Sequence, residues 1–551
     1  MKKNTQGISR RDLFKFGGVA AAGVVGVSAL SACSPQSNAG GSGAASGAPA
    51  STEATVAAGH SREGLPSFLN TPAAISNIKE TKEYDVVVIG AGAAGVPAAL
   101  SAAEAGAKVA LIQKEATAIS QGNSGSGIDL AASDPADVAS LTSLLIKDSQ
   151  HRPNRALVET WAKNSGEAVK WVIAKAAEGG AQVIDQGNLQ QMGLLKKNGY
   201  NLTFVTSFFG PKPYTTGDGM RALATTAEKE GVEIFYSTPA EQLVKTGDAV
   251  TGVIAKGKDG YIQFNAKKGV IVAAGDYQND EAMSNYYQPD LRNFTRKQIN
   301  KTGDGHKMVI WAGGKMEDIA HTKMLHDFDA GPASMCDMPF LAVKNNGSRF
   351  VNETVEMSLL NNYLRSEKDS GWYSQVFDAN YMTQAAEWPG KLVDPEGLQV
   401  YMPEASGDKP GVFKDLVRTF ACSTLDELAD KLEITDKATF LATIKRYNEQ
   451  VAAGKDSDFG KPAKFLAPID TPPFYGIHRW VRISALCSGV DVNADHQCLA
   501  ATGDPITGLY AIGNCSGNFY GGIDYPLTVF GLSLGRCYTE GYVVGKMVAS
   551  L

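Results

Sequence analysis

Residues 84–114 read YDVVVIGAGAAGVPAALSAAEAGAKVALIQK, and this stretch decides the fold. The apolar run Val86–Ile89 is followed by a glycine-rich turn, an alanine-rich segment at 96–106 and a second apolar run at 109–112. That order predicts a strand, a tight turn, a helix and a parallel strand. In such a unit Gly90 permits the turn, Gly92 lets the backbone approach a pyrophosphate, and Gly95 lets the helix pack on its strand. Because the helix N-terminus offers free N–H groups to phosphates, the stretch predicts dinucleotide binding.

The position that ends the second predicted strand departs from the usual pattern. An Asp or Glu normally stands there and binds the ribose hydroxyls. This chain has Gln113 and Lys114 instead, and Glu115 follows them. An amide can accept from and donate to a hydroxyl, so nucleotide binding is expected without the discrimination that an acid provides.

The remainder of the chain continues the alternation of strands and helices. A loop with the sequence GNSGSG at 122–127 has small residues with side-chain donors, which suit a loop lying against a cofactor. Alone it would be an ordinary turn. Further elements are predicted as a helix at 219–231, strands at 232–236, 250–255 and 269–275, a helix opened by TGDG at 302–305, a strand running into a loop at 508–514, and a final helix entered at 530–536. This order predicts an α/β protein.

Residues 1–33 are interpreted as a targeting segment. Ser9–Lys15 resembles a twin-arginine export signal, and the glycine-rich apolar region after it is too short for a good membrane span. Leu30–Cys33 resembles a lipobox, in which Cys33 would carry the lipid; the alternative is a chance cysteine near an ordinary cleavage site. We therefore predict a lipoprotein exported by the twin-arginine route and anchored on the outer side of the cytoplasmic membrane. Residues 34–80, rich in Gly, Ala, Ser and Pro, predict a flexible linker.

Composition excludes several other classes of function. The net charge of −6 and the lack of basic clusters argue against a nucleic-acid partner. The cysteines other than Cys33 form no CxxC or CxxCH motif, which excludes a c-type haem and argues against a ferredoxin-type cluster. A large chain that folds before export needs no disulfide framework, so we expect buried thiols and no metal site. These cysteines are Cys336, Cys422, Cys487, Cys498, Cys515 and Cys537.

A set of motifs along the chain resembles one flavoprotein family. They are GAGAAG at 90–95, GNSGSG at 122–127, VIVAAGDYQND at 270–280, TGDG at 302–305, NGSRFVNE at 346–353, RYNEQVAAGKDSDFGKPA at 446–463, PFY at 473–475 and GLYAIGN at 508–514. Together they are similar to the family of FAD-dependent soluble fumarate reductases, urocanate reductases and 3-ketosteroid dehydrogenases, the flavocytochrome c flavoprotein type. The resemblance implies a Rossmann-like FAD-binding domain, residues 81–318 and 486–551, interrupted by an α+β capping domain at 319–485.

The resemblance and the glycine turns together assign a set of FAD contacts. They are Gly90, Gly92, Ala93, Ala94, Gly95, Gln113, Lys114, Gly122, Asn123, Ser124, Gly127, Ile128, Ala240, Ala274, Gly275, Asp304, Gly513, Asn514, Ser533 and Leu534. The final helix would point its N-terminus at the flavin pyrimidine and stabilise negative charge on the reduced ring.

The residues that bind a dicarboxylate in this family are missing here. Fumarate-reducing members hold their substrate with arginines and histidines and deliver a proton through an Arg–Glu–Arg relay. Alignment by the nearby motifs places those positions at Met357, Ala333, Cys336, Ala485 and Thr528. Only one histidine persists, at His326 within one residue. We therefore predict that fumarate is not the substrate.

Four residues are candidates for catalysis. Tyr525 lies where ketosteroid dehydrogenases carry a tyrosine that polarises a ketone, although the spacing here is two residues longer. His326, in a segment with His321 and Asp327, is a candidate proton donor, and Tyr363 and Arg365 are candidate substitute donors. The alternatives are an interface tyrosine with a satisfied hydroxyl, histidines in surface or core roles, and ordinary surface residues at 363 and 365.

The predicted export signal and the predicted flavin chemistry together indicate an extracytoplasmic reductase. We expect hydride transfer from reduced FAD to the C=C bond of an α,β-unsaturated carbonyl or carboxylate compound, as a respiratory electron acceptor. A separate membrane-bound or cytochrome donor would supply the electrons. The alternatives are a 3-ketosteroid-type dehydrogenase, which runs the reverse reaction, and a non-catalytic lipid-anchored solute-binding protein.

Overall fold

The computed structural model describes residues 65–184, 199–211, 214–318, 321–326, 338–365, 371–388, 399, 401–403 and 418–551. The predicted signal peptide and most of the predicted linker lie outside these ranges, as do Asp327, Ala333 and Cys336. Within the described part of the chain, no helix combines the length and the apolar character that crossing a membrane requires.

The described strands and helices are numbered in chain order. The strands are β1 Ile78–Ile89, β2 Val109–Ile112, β3 Gly125–Ile128, β4 Phe204–Ser207, β5 Glu233–Phe235, β6 Ala240–Thr246, β7 Ala249–Gly257, β8 Gly260–Val272, β9 Lys323–His326, β10 Leu341–Val343, β11 Trp372–Phe377, β12 Thr419–Cys422, β13 Phe474–Trp480, β14 Arg482–Leu486, β15 Gln497–Leu499 and β16 Pro505–Ala511. The α-helices are α1 Gly95–Glu104, α2 Pro135–Asp148, α3 Arg155–Glu178, α4 Thr216–Lys229, α5 Glu281–Tyr287, α6 Asp304–Trp311, α7 Met357–Leu360, α8 Tyr381–Glu387, α9 Leu425–Lys431, α10 Lys437–Ala452 and α11 Leu532–Ser550.

An eight-stranded sheet, called the main sheet below, is the largest sheet of the described residues. Its strand order is β15-β16-β8-β1-β2-β5, and the hairpin β6–β7 joins it through β8. The strands from β16 to β5 along this order are parallel, with Val88 opposite Ile271 on one side and Leu111 on the other. The apolar runs of β1, β2 and β8 are buried, as expected for strands covered on both faces. The predicted α/β class with a Rossmann-like sheet is confirmed.

The glycine turn between β1 and α1 is dictated by close packing. Gly90 has φ +104°, and a Cβ there would lie 2.5 Å from the Ala273 carbonyl oxygen. A Cβ on Gly95 would lie only 1.7 Å from the Gly90 carbonyl oxygen. Any side chain at either position would therefore force the helix away from the sheet, which is the role that the sequence pattern predicts.

The last helix returns to the first one. A Cβ on Gly541 would lie 2.4 Å from the Ala94 oxygen, and one on Gly545 would lie 2.3 Å from the Ala98 oxygen. The backbones of α11 and α1 therefore approach closely because two glycines face two alanines. This packing holds the C-terminal part of the chain beside the glycine turn.

A second, four-stranded antiparallel sheet is formed by residues 341–480. Its order is β10-β11-β13-β12, and α9 and α10 pack on it through buried residues that include Leu428, Phe440 and Ile444. Arg349 forms ion pairs with Glu353 at 2.7 Å and Asp456 at 2.8 Å. The two-stranded pair β9–β14 lies between this sheet and the main one along the chain. The sheet falls inside the predicted capping segment, whose boundaries at 319 and 485 remain predictions.

Candidate functional site

A pocket opens at the carboxyl ends of the central parallel strands. Ile89, Ile112 and Ala273, at the ends of β1, β2 and β8, form part of its wall. Seven predicted FAD contacts line it: Gly90, Gly92, Gln113, Lys114, Ala240, Ala274 and Asp304. In open parallel sheets, ligands bind in this place, outside the carboxyl ends of the strands.

The lining of the pocket fits a dinucleotide. A Cβ on Gly92 would meet only the Ile119 oxygen, at 3.4 Å, so this glycine leaves open space where a ligand can approach the backbone. The amide oxygen of Asn300, which also lines the pocket, is buried with no hydrogen-bond partner in the described structure. A buried acceptor without a donor is costly, and a ribose hydroxyl or an adenine amino group would satisfy it.

The position of the usual ribose acid has a different arrangement. Gln113 donates from Nε2 to the Thr117 oxygen at 3.1 Å. The Lys114 ammonium donates to Thr302 Oγ1 at 2.6 Å and to Asp304 Oδ2 at 2.9 Å. Burial alone would raise the pKa of Asp304, but the hydrogen bond and charge of Lys114 outweigh it and hold that pKa below its usual value. The Lys114–Asp304 ion pair therefore borders the pocket next to the side-chain amide of Gln113.

Other predicted contacts surround the glycine turn. Ala93 and Ala94 lead into α1, and a Cβ on Gly513 would lie 2.9 Å from the Ala94 Cβ. The Asn514 amide oxygen is buried with no partner in the described structure. Gly275, with φ +80°, follows β8 at the edge of the pocket. The turn after β16 therefore lies next to the turns after β1 and β8.

The GNSGSG loop packs on the start of α11. A Cβ on Gly122 would lie 2.8 Å from Leu534 Cδ1, and the Ser126 amide donates to the Gly531 oxygen at 3.1 Å. The predicted contacts Asn123 and Ser124 lie in this loop. Gly127 and Ile128 continue into β3, where the Ile128 amide donates to Ser165 Oγ at 2.9 Å. These last two residues therefore contact α3.

Tyr525 is held at the N-terminus of α11. Its backbone amide donates to the Lys323 oxygen at 2.9 Å, and its hydroxyl oxygen accepts from the Ser533 amide at 3.0 Å. The ring is 5% exposed and lies 5.1 Å from the Tyr520 ring. Burial raises the pKa of the Tyr525 hydroxyl, so it stays protonated at neutral pH. The Ser533 amide, predicted to face the flavin pyrimidine, thus donates to Tyr525.

His326 lies at the end of β9 and is partly buried. Its Nε2 is 2.9 Å from Ser484 Oγ, and its Nδ1 is 3.4 Å from Lys297 Nζ. Gln121, next to the GNSGSG loop, donates to the Ser484 carbonyl oxygen at 2.6 Å. The nearby His321 belongs to a different group, with Nδ1 3.0 Å from the Tyr277 hydroxyl, and burial lowers its pKa to about 4. His321 is therefore neutral at physiological pH.

Tyr363 and Arg365 lie in the segment that follows α7. Tyr363 is 47% exposed, and Arg365 forms an ion pair with Asp290 at 3.2 Å. Asp290 also pairs with the buried Lys323 at 3.0 Å. The Asp524 carboxylate accepts from the Asn361 and Asn362 side chains at 3.0 and 2.9 Å. We call these six residues, Asp290, Lys323, Asn361, Asn362, Arg365 and Asp524, the clamp.

The positions aligned with the family's dicarboxylate ligands carry no cation. Met357 is 4% exposed at the start of α7, and Ala485 is 2% exposed in β14. The Thr528 hydroxyl donates to Asp148 Oδ2. Because the clamp bonds the segment after α7 to Asp524, the element that carries Met357 lies next to the residue that precedes Tyr525.

Several lining residues of the pocket were not predicted. Asn300, Lys301, Glu115 and Pro239 are among them. The sequence signal that could have indicated Asn300 and Lys301 is the TGDG motif at 302–305. Residues directly before a helix that begins at a pocket also line that pocket.

Residues 85–525 match the FAD binding domain family. The chain belongs to this family. It is 28% identical to vinyl phenol reductase of Lactiplantibacillus plantarum, over 85% of this chain and 96% of that protein. It is 26% identical to digoxin reductase of Eggerthella lenta, over 96% of this chain and 97% of that protein.

In two further matches, a smaller share of the other protein is covered. NADH:fumarate oxidoreductase of Klebsiella pneumoniae is 24% identical over 80% of this chain, but the match spans only 45% of that protein. The open conformation of a flavocytochrome c3 fumarate reductase shares the fold, with a TM-score of 0.63 at 23% identity over 86% of this chain and 79% of that one. The family and the pocket identify the chain as an FAD-dependent oxidoreductase.

Proposed function

We propose that this oxidoreductase reduces the C=C bond of an α,β-unsaturated carbonyl or carboxylate compound with a single polar handle, and that fumarate is not its substrate. The observation that carries the proposal is the buried Met357, in place of a substrate-binding arginine, on an element bonded to the residue before Tyr525.

The charge balance of the site supports this substrate class. A dicarboxylate enclosed between two domains needs paired cations, since an unpaired carboxylate in a desolvated site costs several kcal/mol. Met357, Ala485 and Thr528 offer none. The nearest described cations in the clamp, Lys323 and Arg365, already pair with Asp290. An enone or an aryl-acrylate carries less charge and would fit such a site better.

The names of the relatives point in the same direction. Vinyl phenol reductase and digoxin reductase, which the chain matches over nearly their whole length, are named for substrates that are not dicarboxylates.

The described residues offer one hydroxyl suited to the chemistry. FAD, when bound, supplies the hydride that is added to one carbon of the double bond. The Tyr525 oxygen accepts from the Ser533 amide, so its own hydrogen remains available for a substrate carbonyl oxygen. The amide also favours negative charge on that oxygen at a helix N-terminus. Tyr525 would therefore polarise the carbonyl and hold the proton that completes the reduction.

His326 is the second candidate for proton transfer. Its imidazole lies on the same strand whose Lys323 oxygen fixes the Tyr525 backbone. Its contacts to Ser484 and Lys297 hold the ring orientation. It would replenish a proton after each turnover, since one hydride and one proton are consumed per double bond.

We extend the proposal to cellular address and electron supply. The predicted twin-arginine signal and Cys33 support a lipid-anchored enzyme outside the cytoplasmic membrane, and a separate membrane-bound or cytochrome donor would reduce it. Such an arrangement would let the substrate serve as a respiratory electron acceptor.

The test uses purified protein loaded with FAD and a chemical reductant. We expect enones and aryl-acrylates to reoxidise the reduced flavin rapidly and fumarate to do so slowly. Rapid fumarate reduction would contradict the proposal. Incubating oxidised enzyme with the saturated products and an artificial acceptor tests the dehydrogenase direction. Flavin that no compound in the panel reoxidises would favour the binding-protein alternative.

A further inference from the structure

We infer that Lys301 binds the diphosphate of FAD, as a cationic contact supplied by the turn before α6. The inference rests on the assignment of the pocket to FAD and not on the proposed substrate class. Lys301 lies in the sequence Asn300-Lys301-Thr302, between α5 and α6, and lines the same pocket as Gly90 and Gly92.

The geometry places the ammonium group against the turn that follows β8. Lys301 Nζ is 3.0 Å from the point that a Cβ on Gly275 would occupy, and Gly275 has φ +80°. Because β8 and β1 are neighbouring parallel strands, this turn lies directly beside the Gly90–Gly92 turn, where a Cβ on Gly90 would be 2.5 Å from the Ala273 oxygen. A diphosphate held at the N-terminus of α1 would therefore lie in a pocket that Lys301 also lines.

The electrostatic environment compensates the charge of Lys301 only in part. Lys114 pairs with Asp304 at 2.9 Å and Lys307 with Asp280 at 3.1 Å, whereas no described carboxylate lies within 4 Å of Lys301 Nζ. Burial lowers the pKa of Lys301, and the more distant charge of Asp276 only partly offsets that effect. Asp276 itself accepts from the Gln278 amide at 2.9 Å.

A partly buried cation without a direct ion pair is unfavourable, and proteins keep one mainly where a ligand compensates its charge. The diphosphate of FAD carries two negative charges and would be held by the same glycine turn. The adjacent Asn300 oxygen needs a donor, which a ribose hydroxyl or the adenine amino group of the adenosine half would supply. The two neighbouring residues therefore match two neighbouring parts of one cofactor.

The experiment compares the affinities of apoprotein for FAD, ADP and adenosine. Lys301→Met removes the charge and keeps the chain length; Lys315→Met is the matched control, because Lys315 pairs with Asp318 and Asp491 instead of lining the pocket. We expect Lys301→Met to weaken FAD and ADP binding at least about 10-fold at low salt while adenosine binding changes little. Lys301→Arg should recover part of the loss.

A second readout separates ligand binding from a structural role. If Lys301 serves the ligand, the Lys301→Met apoprotein should melt at the same or a higher temperature than wild type, and FAD should stabilise it less. Equal FAD and ADP affinities in Lys301→Met and wild type would overturn the inference, as would an equal loss for ADP and adenosine. Should neither variant give folded apoprotein, wild-type ADP affinity that does not change between about 0.02 and 0.5 M salt would also overturn it.

Discussion

Gly92 and Gly95 belong to one turn but are required for different reasons. A side chain on Gly92 meets only the Ile119 oxygen, whereas one on Gly95 collides with the Gly90 carbonyl. We expect Gly92→Val to fold with wild-type secondary structure but to purify without FAD, because its methyl groups fill the space beside the backbone. Gly95→Ala should instead lower stability and yield. Flavin absorbance per protein and circular dichroism measure both effects, and full FAD occupancy in Gly92→Val would refute the assignment of this turn.

At the residue scale, the prediction for catalysis concerns the Tyr525 hydroxyl. Tyr525→Phe keeps the ring and loses the oxygen that accepts from Ser533. We expect FAD content to hold and turnover on an accepted enone to fall about 10²–10⁴-fold. Tyr261→Phe is the control, because the Tyr261 hydroxyl donates to Glu241 on the hairpin side of the main sheet. Undiminished turnover in Tyr525→Phe would remove Tyr525 from the mechanism.

Glu317 should make stability depend on pH. Burial raises the pKa of Glu317 to about 7, although it accepts from the Gly489 and Asn518 amides. Between about pH 4.5 and 7 the unfolded chain loses this proton while the folded one keeps it, so the contribution of Glu317 to the unfolding free energy falls as pH rises. Glu317→Gln removes the titration. The stability of the variant relative to wild type should therefore increase from about pH 5 to about pH 8, measured by urea unfolding. A relative stability that is equal at both pH values would disprove the raised pKa.

At the scale of elements, the clamp holds the segment after α7 against the loop that carries Tyr525. Asp524→Asn replaces one carboxylate oxygen by an amide that faces the donors of Asn361 and Asn362. We expect a loss of about 1–3 kcal/mol in unfolding free energy, because buried donors lose their acceptor. Turnover should fall as well, with FAD content retained. Asp259→Asn, in the exposed turn between β7 and β8, should change neither, and equal behaviour of the two variants would show that the clamp is not required.

The elements of the main sheet were predictable where glycine and apolar runs set sharp limits. The helix expected at 96–106 is α1 Gly95–Glu104, and the strand expected at 109–112 is β2 as predicted. The strand predicted at 269–275 corresponds only to the end of β8, which runs from Gly260 to Val272. The first half of β8 was missed because it is polar and only partly buried where it pairs with β7. Nothing in the glycine motifs predicts α3, although its Asn154 cap and buried Leu157 and Trp161 are a helical signal.

The pocket was harder to predict than the fold. Motifs whose backbone borders the pocket, such as Gly90 and Gly92, are visible in the sequence because only glycine permits a close approach to the backbone. Asn300 and Lys301 line the pocket from a turn of no fixed pattern, so only the folded chain brings them to it. The contact of Tyr525 with Ser533 likewise depends on how the loop before α11 folds back on the helix.

At the scale of the whole molecule, the predicted address can be tested independently of catalysis. Replacing Arg10 and Arg11 with Lys should stop export, and Cys33→Ala should leave export intact but release the protein from the membrane fraction. Fractionation of cells with detection of flavin in each fraction measures both. Membrane attachment that survives Cys33→Ala would show that the lipobox interpretation is wrong.

The packing of α11 on α1 has a consequence for biosynthesis. The glycine turn after β1 leaves the ribosome early, but the small-residue contact of Gly541 with Ala94 needs the last helix of the domain. The dinucleotide site is therefore completed only after α11 has been synthesised, even though N-terminal parts of a chain generally fold first. We expect stable flavin loading to follow the synthesis of α11, and any export route that accepts only the loaded form must wait for that step.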